Sequence, residues 1–332
     1  MDTKLLKQTA EALVAEGKGI LAADESVGTM TKRLDAIGVE STEETRRSYR
    51  DVLLTTQGMD QYISGVILFD ETIRQKTDGG DSFPEILESM GVIPGIKVDK
   101  KAWPLPNFPN EKITEGLDGL RDQLVEYKEL GAKFAKWRAV ITIGEGIPTD
   151  TCINSNSEAL ARYAALCQEA DIVPIVEPEV LMTGSHDMHR CEQVTYATLK
   201  SFFAKLHDHK IYLEGVLLKI NMVLPGKESG EEVSDEEIAN ATCRVFKEVV
   251  PDEIPGIVFL SGGQSADEAT TRLNEIAKVG KDLPWELSYS YGRALQAEAL
   301  EAWGGKRENI ESAKEVFLER AEKVSKARSG EL

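Results

Sequence analysis

Charged and polar side chains interrupt or directly follow short apolar runs at seven places along the chain. They are Asp24; Lys97 with Asp99; Lys136 with Arg138; Glu177 with Glu179; Lys219 with Asn221; Ser261 with Gly262; and Gly292 with Arg293. In a strand, side chains two residues apart point to the same face, so each charged pair can face one interior. Charges in apolar surroundings are costly unless they are paired. The pattern therefore predicts an internal cluster of acids and bases where several strands end.

Lys219 is the strongest candidate for a nucleophile. It follows three apolar residues, Val216 to Leu218, and Lys136 supplies a second inward-facing cation. Burial and a neighbouring cation both favour the neutral form of an amine, which can then attack a carbonyl carbon and form an imine. A lone lysine at a strand end is more often a solvated side chain, and spacing alone leaves Lys97 and Lys136 as alternatives.

The acidic residues have two interpretations. Glu177 and Glu179 have the positions of an acid and a base catalyst, but they could instead be structural partners of the two basic residues on the preceding strand. Asp24 could take a catalytic proton, or it could cap a helix that begins near Ser26. The residue pattern leaves both alternatives open.

Two places favour the binding of phosphate. The stretch 261–265, SGGQS, offers small residues and backbone N–H groups before a helix that should start near Ser265. Arg293 follows Gly292 at the end of the last apolar run, where barrels often bind phosphate. The residues of the second predicted anion site are Ser26, Thr29, Arg33 and Lys97. Two anion sites on either side of one lysine predict a substrate with a phosphate at each end.

Eight short apolar runs alternate with longer amphipathic runs and are the predicted strands. They cover residues 19–23, 63–69, 95–98, 134–141, 172–176, 212–218, 257–260 and 285–289. Several are apolar on successive residues, as is typical of parallel strands covered on both faces. This alternation predicts a closed α/β barrel of the TIM (β/α)8 type, and an open doubly wound sheet is the alternative.

Helix signals lie between most of these strands. Ser41, Ser234 and Ser265 each stand three residues before a glutamate, in capping-box patterns. Apolar residues at helical spacing predict a helix over 117–130, whereas the proline-rich stretch 103–110 is interpreted as a loop. We expect a single domain, 1–332, with an N-terminal helix and a C-terminal helix of roughly 307–327 outside the barrel.

Composition limits the partners and cofactors. The formal net charge of −18 opposes binding to nucleic acid and to anionic membranes. Four widely separated cysteines predict reduced thiols and a cytoplasmic location. We expect no membrane span and no signal peptide, because the required apolar segments are missing. His186 and His189 lack a nearby histidine or cysteine to complete a metal site, and no nucleotide fingerprint is present, so we expect neither metal nor cofactor.

The motifs of this chain resemble those of class I fructose-bisphosphate aldolase from the first helix to nearly the last. They are LAADES (21–26), GIKVD (95–99), FAKWR (134–138), VPIVEPE (173–179), EGVLLKINMV (214–223), FLSGGQS (259–265), SYGRALQ (290–296) and AWGG (302–305). The resemblance implies a metal-independent lyase of glycolysis and gluconeogenesis. Its reaction would be reversible cleavage of fructose 1,6-bisphosphate to dihydroxyacetone phosphate and glyceraldehyde 3-phosphate. The resemblance also implies a homo-oligomer, which in this family is often a tetramer.

The same resemblance implies a role for each site residue. Lys219 matches the Schiff-base lysine, and Glu177 matches the acid and base of carbinolamine formation and dehydration. Asp24 matches the carboxylate that takes the 4-hydroxyl proton, while Lys136 and Glu179 match charged residues of the same network. The residues that match the C1-phosphate site are Ser261, Gly262 and Arg293. Those toward the C6-phosphate are Thr29, Arg33 and Lys97, and Arg138 also points at the ligand in that pattern. Gly292 and Ser26 are predicted to bind substrate from the residue pattern alone.

Three features depart from the family pattern. Ile220 replaces the usual proline after the lysine, and Thr29 stands where serine is common. Many members carry a terminal tyrosine that helps to protonate the enamine, and this sequence ends at Leu332 without one, which leaves the rate of that step open. The alternative functions are an aldolase or transaldolase for another ketose phosphate, and a non-catalytic scaffold on the same fold.

Overall fold

The computed structural model describes residues 1–332, and its centre is a closed barrel of eight parallel strands. The strands of the chain are β1 Gly19–Ala23, β2 Ile63–Leu68, β3 Ile93–Lys97, β4 Lys101–Pro104, β5 Lys112–Glu115, β6 Phe134–Ile141, β7 Val173–Val180, β8 Leu217–Ile220, β9 Gly256–Phe259 and β10 Glu286–Tyr291. The barrel order is β1-β10-β9-β8-β7-β6-β3-β2, and β4 and β5 form a separate antiparallel hairpin. The predicted TIM barrel is confirmed.

Most of the helices cover the barrel between consecutive strands. They are α1 Thr3–Leu13, α2 Val27–Ala36, α3 Glu43–Leu54, α4 Asp70–Ile73, α5 Phe83–Ser89, α6 Leu120–Glu129, α7 Asp150–Glu169, α8 Met188–Asp208, α9 Asp235–Val249, α10 Ala266–Val279, α11 Arg293–Trp303 and α12 Ile310–Arg328. Ser234 and Ser265 form the predicted capping boxes at the starts of α9 and α10, which satisfies N–H groups of the first turns. No helix has the length and apolar character needed to cross a membrane.

Two apolar cores hold these layers together. The larger core lies between the strands and the outer helices. The smaller core fills the barrel interior, where Phe134 and Leu217 pack with Leu6 and Leu13 of α1. Because α1 also contacts β2 and β7, it covers the N-terminal mouth of the barrel. A site inside the barrel is therefore reached from the C-terminal ends of the strands.

The sixth predicted strand is wrong over its first half. Residues Leu213–Gly215 form a 3-10 turn, and β8 begins only at Leu217. The side chain of Gln168 donates to the carbonyl oxygen of Tyr212 at 2.7 Å, so this segment is bound to α7 instead of a neighbouring strand. The C-terminal half of the predicted strand, which precedes Lys219, lies in the barrel as expected.

Two further local predictions are wrong. The capping box of α3 uses Thr42 and Thr45 instead of Ser41 and Glu44, so the helix starts one residue later. Both Ser41 and Thr42 offer a hydroxyl group, and the sequence pattern did not distinguish them. The predicted loop 103–110 starts only at 105, because its first two residues belong to β4 and pair with β5.

Candidate active site

A cavity of about 1100 Å³ opens at the C-terminal ends of the barrel strands. Thirteen of the fourteen predicted site residues line it: Asp24, Ser26, Thr29, Arg33, Lys97, Lys136, Arg138, Glu177, Glu179, Lys219, Ser261, Gly262 and Gly292. Arg293 is the exception, because its guanidinium group donates to the carbonyl oxygen of Gln264 at 3.2 Å. Residues from seven different barrel strands and their loops thus meet in one place.

Lys219 lies inside the barrel mouth. Its side chain is 5% exposed, and its Nζ lies 3.5 Å from Oε1 of Glu177 on β7. The neighbours Leu218 and Ile220 point to the opposite face of β8 and are fully buried in the outer core. Strand alternation therefore directs Lys219 inward, toward a carboxylate, and removes it from solvent.

Lys136 on β6 connects the two catalytic carboxylate candidates. Its Nζ lies 2.7 Å from Oδ2 of Asp24 and 3.4 Å from Oε2 of Glu177. The interpretation of Asp24 as a helix cap is wrong, because Ser26 is the N-cap residue of α2 and Asp24 reaches across the barrel mouth to Lys136. Asp24, Lys136, Glu177 and Lys219 thus form one buried chain of alternating charge, which we call the central cluster.

Burial and charge act against each other on the pKa values of the central cluster. Burial alone would raise the pKa of Asp24, but Lys136 and Lys219 outweigh burial and hold that pKa well below its ordinary value. Burial likewise opposes ionisation of Glu177, and the cations of Lys219, Lys136 and Arg138 lower its pKa. The pKa of Lys136 is raised, because its two carboxylate partners outweigh its desolvation. Both carboxylates are therefore ionised near neutral pH.

Arg138 and Glu179 form a second pair beside the central cluster. The Arg138 guanidinium is bonded to the Glu179 carboxylate, which is 7% exposed, whereas the Arg138 side chain is 42% exposed. The backbone N–H of Arg138 also donates to Asp99 at 3.3 Å. Glu179 is thus the partner of Arg138, while Glu177 contacts the two lysines of the central cluster.

Asn221 does not share the interior with Lys219, so that prediction is wrong. β8 ends at Ile220, and the alternation of strand side chains does not continue beyond it. The Asn221 Oδ1 accepts a hydrogen bond from the N–H of Val180 at 3.0 Å. Its Nδ2 donates to the carbonyl oxygen of Met222 at 3.1 Å. Asn221 therefore ties the end of β8 to the end of β7.

The segment Ser261–Gly263 follows β9 and leads into α10, whose N-cap is Ser265. A Cβ atom at Gly262 would lie 2.8 Å from Oε1 of Glu179, so only glycine fits there without displacing that carboxylate. Gly263 has a φ angle of +79°, which also favours glycine. This segment, which we call the glycine loop, can present N–H groups and the first turn of α10 to an anion.

The second predicted anion site lies at the C-terminal ends of β1 and β3. Lys97 bonds to Asp99 at 2.6 Å, and Arg33 pairs with Glu25. The hydroxyl groups of Ser26 and Thr29 lie 3.2 Å apart at the start of α2. These cations already have carboxylate partners, so an anionic group here would compete with Asp99 and Glu25.

Several charged residues of the cavity are not among the residues predicted from the sequence. Glu25 is almost fully buried and accepts hydrogen bonds from Arg33, from Arg50 on α3 and from Gln296 on α11. The position of Glu25 next to Asp24 in the sequence could have indicated that it belongs to the site. No sequence pattern indicated that Arg50 and Gln296 would contact it. Arg74 on the cavity rim pairs with Asp70 and Glu126, and three further lysines line the rim: Lys100, Lys101 and Lys112. In all, nine cationic and seven carboxylate side chains line the cavity, which gives it a formal charge of +2.

A buried lysine beside carboxylates, at the C-terminal mouth of an eight-stranded α/β barrel, defines a barrel enzyme equipped for attack on a carbonyl carbon. The family model for fructose-bisphosphate aldolase class-I matches residues 5–332. A probable fructose-bisphosphate aldolase class 1 of Xanthomonas axonopodis pv. citri is 55% identical over 331 residues, which are 99% of each chain. The cytosolic fructose-bisphosphate aldolase 4 of Arabidopsis thaliana is 52% identical over 314 residues, 95% of this chain and 80% of that one.

The fold of this chain also matches that of a solved structure. The fructose-bisphosphate aldolase of Plasmodium falciparum, crystallised with TRAP and a small-molecule inhibitor, superposes with a TM-score of 0.97 and is 47% identical. The match covers 99% of this chain and 95% of that one. The chain belongs to the class I fructose-bisphosphate aldolase family, and the resemblance seen in its motifs is confirmed. It is a lyase that acts on a sugar bisphosphate through a Schiff base and without a metal ion.

Proposed function

We propose that Lys219 is the residue that forms the Schiff base with C2 of fructose 1,6-bisphosphate. The best support is its buried position on β8, 3.5 Å from the Glu177 carboxylate. The amine lone pair attacks the C2 carbonyl carbon, one proton moves from the attacking nitrogen to the carbonyl oxygen, and a carbinolamine forms. Loss of that oxygen as water then leaves a protonated imine on Lys219.

Glu177 is the proposed acid and base of these first steps. One oxygen faces Lys219, while Oε2 lies 3.4 Å from the Lys136 ammonium group and accepts no hydrogen bond within the protein, so it can accept one from a substrate hydroxyl group. The ionised carboxylate first takes a proton from the Lys219 ammonium group, which frees the amine lone pair, and later donates that proton to the departing hydroxyl group of the carbinolamine. Lys136 and Arg138 act as charge partners that stabilise the carboxylate between these transfers.

Asp24 is the proposed base for carbon–carbon cleavage. It takes the proton of the 4-hydroxyl group, the C4 carbonyl of glyceraldehyde 3-phosphate forms, and the C3–C4 bond breaks. The electron pair of that bond moves into the imine and gives an enamine. Protonation of the enamine at C3 and hydrolysis of the imine release dihydroxyacetone phosphate. Lys136, 2.7 Å away, keeps Asp24 ionised for this step.

The two phosphates are assigned to the two predicted anion sites of the cavity. The C1-phosphate lies closest to the imine carbon, and the proposed residues for it are Ser261, Gly262, Gly292 and Arg293. Arg293 supports the glycine loop from outside the cavity, and we propose that it reaches the phosphate by releasing Gln264. The residues proposed for the C6-phosphate are Ser26, Thr29, Arg33, Lys97 and Arg138. Glu179 is the proposed partner that orients Arg138.

Borohydride trapping tests the assignment of the nucleophile. Reduction in the presence of dihydroxyacetone phosphate should leave one adduct on Lys219, detected by mass spectrometry of peptides. Lys219→Arg should abolish it, and an adduct on Lys97 or Lys136 in the unmodified protein would refute the assignment. Asp24→Asn should still trap this ketose, which has no 4-hydroxyl group to deprotonate, yet lose bisphosphate cleavage. A chelator should leave cleavage unchanged.

The proposal also covers domain organisation, metabolic role, assembly and cellular location. We propose that residues 1–332 act as a single domain, in glycolysis and gluconeogenesis, and assemble as a homo-tetramer by analogy with the family. A cytoplasmic location is supported by the cytosolic relative in Arabidopsis and by four buried, unpaired cysteines. Sedimentation equilibrium measures the assembly directly, and a monomeric mass at micromolar concentration would contradict it.

A further inference from the structure

A tight turn over residues 226–229 lies in the loop between β8 and α9. The N–H of Ser229 donates to the carbonyl oxygen of Gly226 at 3.0 Å and closes the turn. The N–H groups of Gly226, Lys227 and Glu228 donate to carbonyl oxygens of the loop between β7 and α8, at 2.8, 2.9 and 2.9 Å. Main-chain bonds thus fix where the side chain of Lys227 starts.

The same two loops are packed without space between them. A Cβ atom at Gly226 would lie 2.2 Å from the carbonyl oxygen of Gly184, a distance that no side chain tolerates. The turn therefore requires glycine at its first position, because the backbone of Gly184 lies against it. The next residue, Lys227, extends toward the glycine loop.

The side chain of Lys227 lies against the glycine loop. A Cβ atom at Gly263 would be 2.8 Å from Sδ of Met182 and 3.1 Å from Cε of Lys227, so both side chains lie against Gly263, and the ammonium group is one bond beyond Cε. Lys227 is exposed and forms no ion pair, in contrast to the cations of the second anion site. The pKa of Glu268 in the first turn of α10 is lowered mainly by hydrogen bonds from Ser265, with a smaller contribution from Lys227. The charge of Lys227 therefore acts at the start of α10.

The glycine loop lacks a cation of its own in the cavity. Arg33 and Lys97 lie at the other anion site, and Arg293 is bonded to the main chain of Gln264. A dianionic phosphate on the glycine loop would meet N–H groups and the Ser261 hydroxyl group, and it would meet the Arg293 guanidinium group only after that group has released Gln264. An unpaired ammonium group beside that loop is the complement that such a site needs.

We propose that Lys227 is an additional specificity-determining residue, which strengthens binding of the phosphate on C1 of the ketose. This inference rests on the proposed function, since it takes the glycine loop as the C1-phosphate site. The phosphate is two bonds from C1 and next to the imine carbon, so Lys227 acts on every substrate that carries a C1-phosphate. We expect it to have no influence on the phosphate at C6, which is assigned to the residues of the second anion site.

Steady-state kinetics of Lys227→Met test the proposal. Fructose 1,6-bisphosphate and fructose 1-phosphate both carry the C1-phosphate, so KM should rise for both by the same factor, about three- to tenfold. A dianion and a cation roughly 6 Å apart in screened water attract each other by an amount that corresponds to this range. The loss should appear in KM more than in kcat, shrink at high salt, and be largely restored in Lys227→Arg. Lys281→Met is the matched control, because Lys281 is exposed at the opposite end of the barrel.

Trapping separates this inference from the proposed function. The concentration of dihydroxyacetone phosphate that gives half-maximal borohydride adduct should rise in Lys227→Met by the factor seen in KM. An adduct on Lys219 with unchanged half-saturation, or a KM that changes no more than in Lys281→Met, would overturn the role of Lys227 alone. Failure of the unmodified protein to form any adduct on Lys219 would instead refute the proposed function.

Discussion

Replacement of Lys136 by methionine should raise the pKa of Asp24 in the central cluster, because it removes the nearest cation. The Lys136 ammonium group lies 2.7 Å from Asp24, where Coulomb attraction is worth about 6 kcal/mol at an effective dielectric constant near 20. Desolvation of the lysine offsets part of this, and removal of one partner from a buried pair costs about 3–5 kcal/mol. Without Lys136, burial raises the pKa of Asp24. If the ionised carboxylate loses about 3 kcal/mol of stabilisation, that pKa rises by about 2 units.

The assay is the pH dependence of kcat/KM for fructose 1,6-bisphosphate between pH 3 and pH 9, because the lowered pKa of Asp24 stays below about 5 even after a rise of about 2 units. In Lys136→Met the acidic limb should move to higher pH by about 2 units, and kcat near neutral pH should fall at least about a hundredfold. Lys136→Arg keeps the charge and should show a smaller shift. Lys133→Met removes an exposed lysine of the same strand region and is the matched control. A folded Lys136→Met protein with an unmoved acidic limb would refute the reasoning.

Three other results are expected. Gly262→Ala places a Cβ atom 2.8 Å from Oε1 of Glu179. We expect the free energy of unfolding to fall by about 1–3 kcal/mol in thermal unfolding, and KM to rise. An unchanged KM would contradict the assignment of the glycine loop as a phosphate site. The lowered pKa values of Asp24 and Glu177 add stability above their ordinary pKa of about 4, and this stability is lost as pH falls through their folded-state values. Urea midpoints should therefore fall on acidification, and less steeply in Asp24→Asn. Lys97→Met should raise KM for fructose 1,6-bisphosphate and leave that for fructose 1-phosphate unchanged; equal losses for the two would place Lys97 elsewhere.

The central cluster was predictable because buried charge in a strand is visible in the sequence. Lys136, Glu177 and Lys219 interrupt apolar runs, and strand alternation gives the direction of each side chain. Parallel strands bring their C-terminal ends together, so residues far apart in the chain converge without further information. The same reasoning was wrong for Asn221, because it assumed that β8 continues one residue beyond its end.

The surroundings of the cluster could not be predicted in the same way. Arg50 and Gln296 reach Glu25 from two helices, and the rotation of a helix against the barrel is a property of tertiary packing. Lys227 lies in a loop whose shape depends on hydrogen bonds to another loop. Local sequence patterns carry no signal for such contacts, whereas they do carry one for the alternation of a strand.

The charge of the cavity has a consequence for how substrate arrives. The protein as a whole carries a formal charge of −18, but the cavity lining carries +2. A doubly phosphorylated sugar is therefore repelled at long range and attracted only within the last few ångströms, where cations outnumber carboxylates. Moderate salt shortens the reach of the repulsion to about 8–10 Å while the partly enclosed attraction persists. Association should thus become faster from very low to moderate ionic strength, the reverse of the trend for an enzyme that steers its substrate from a distance.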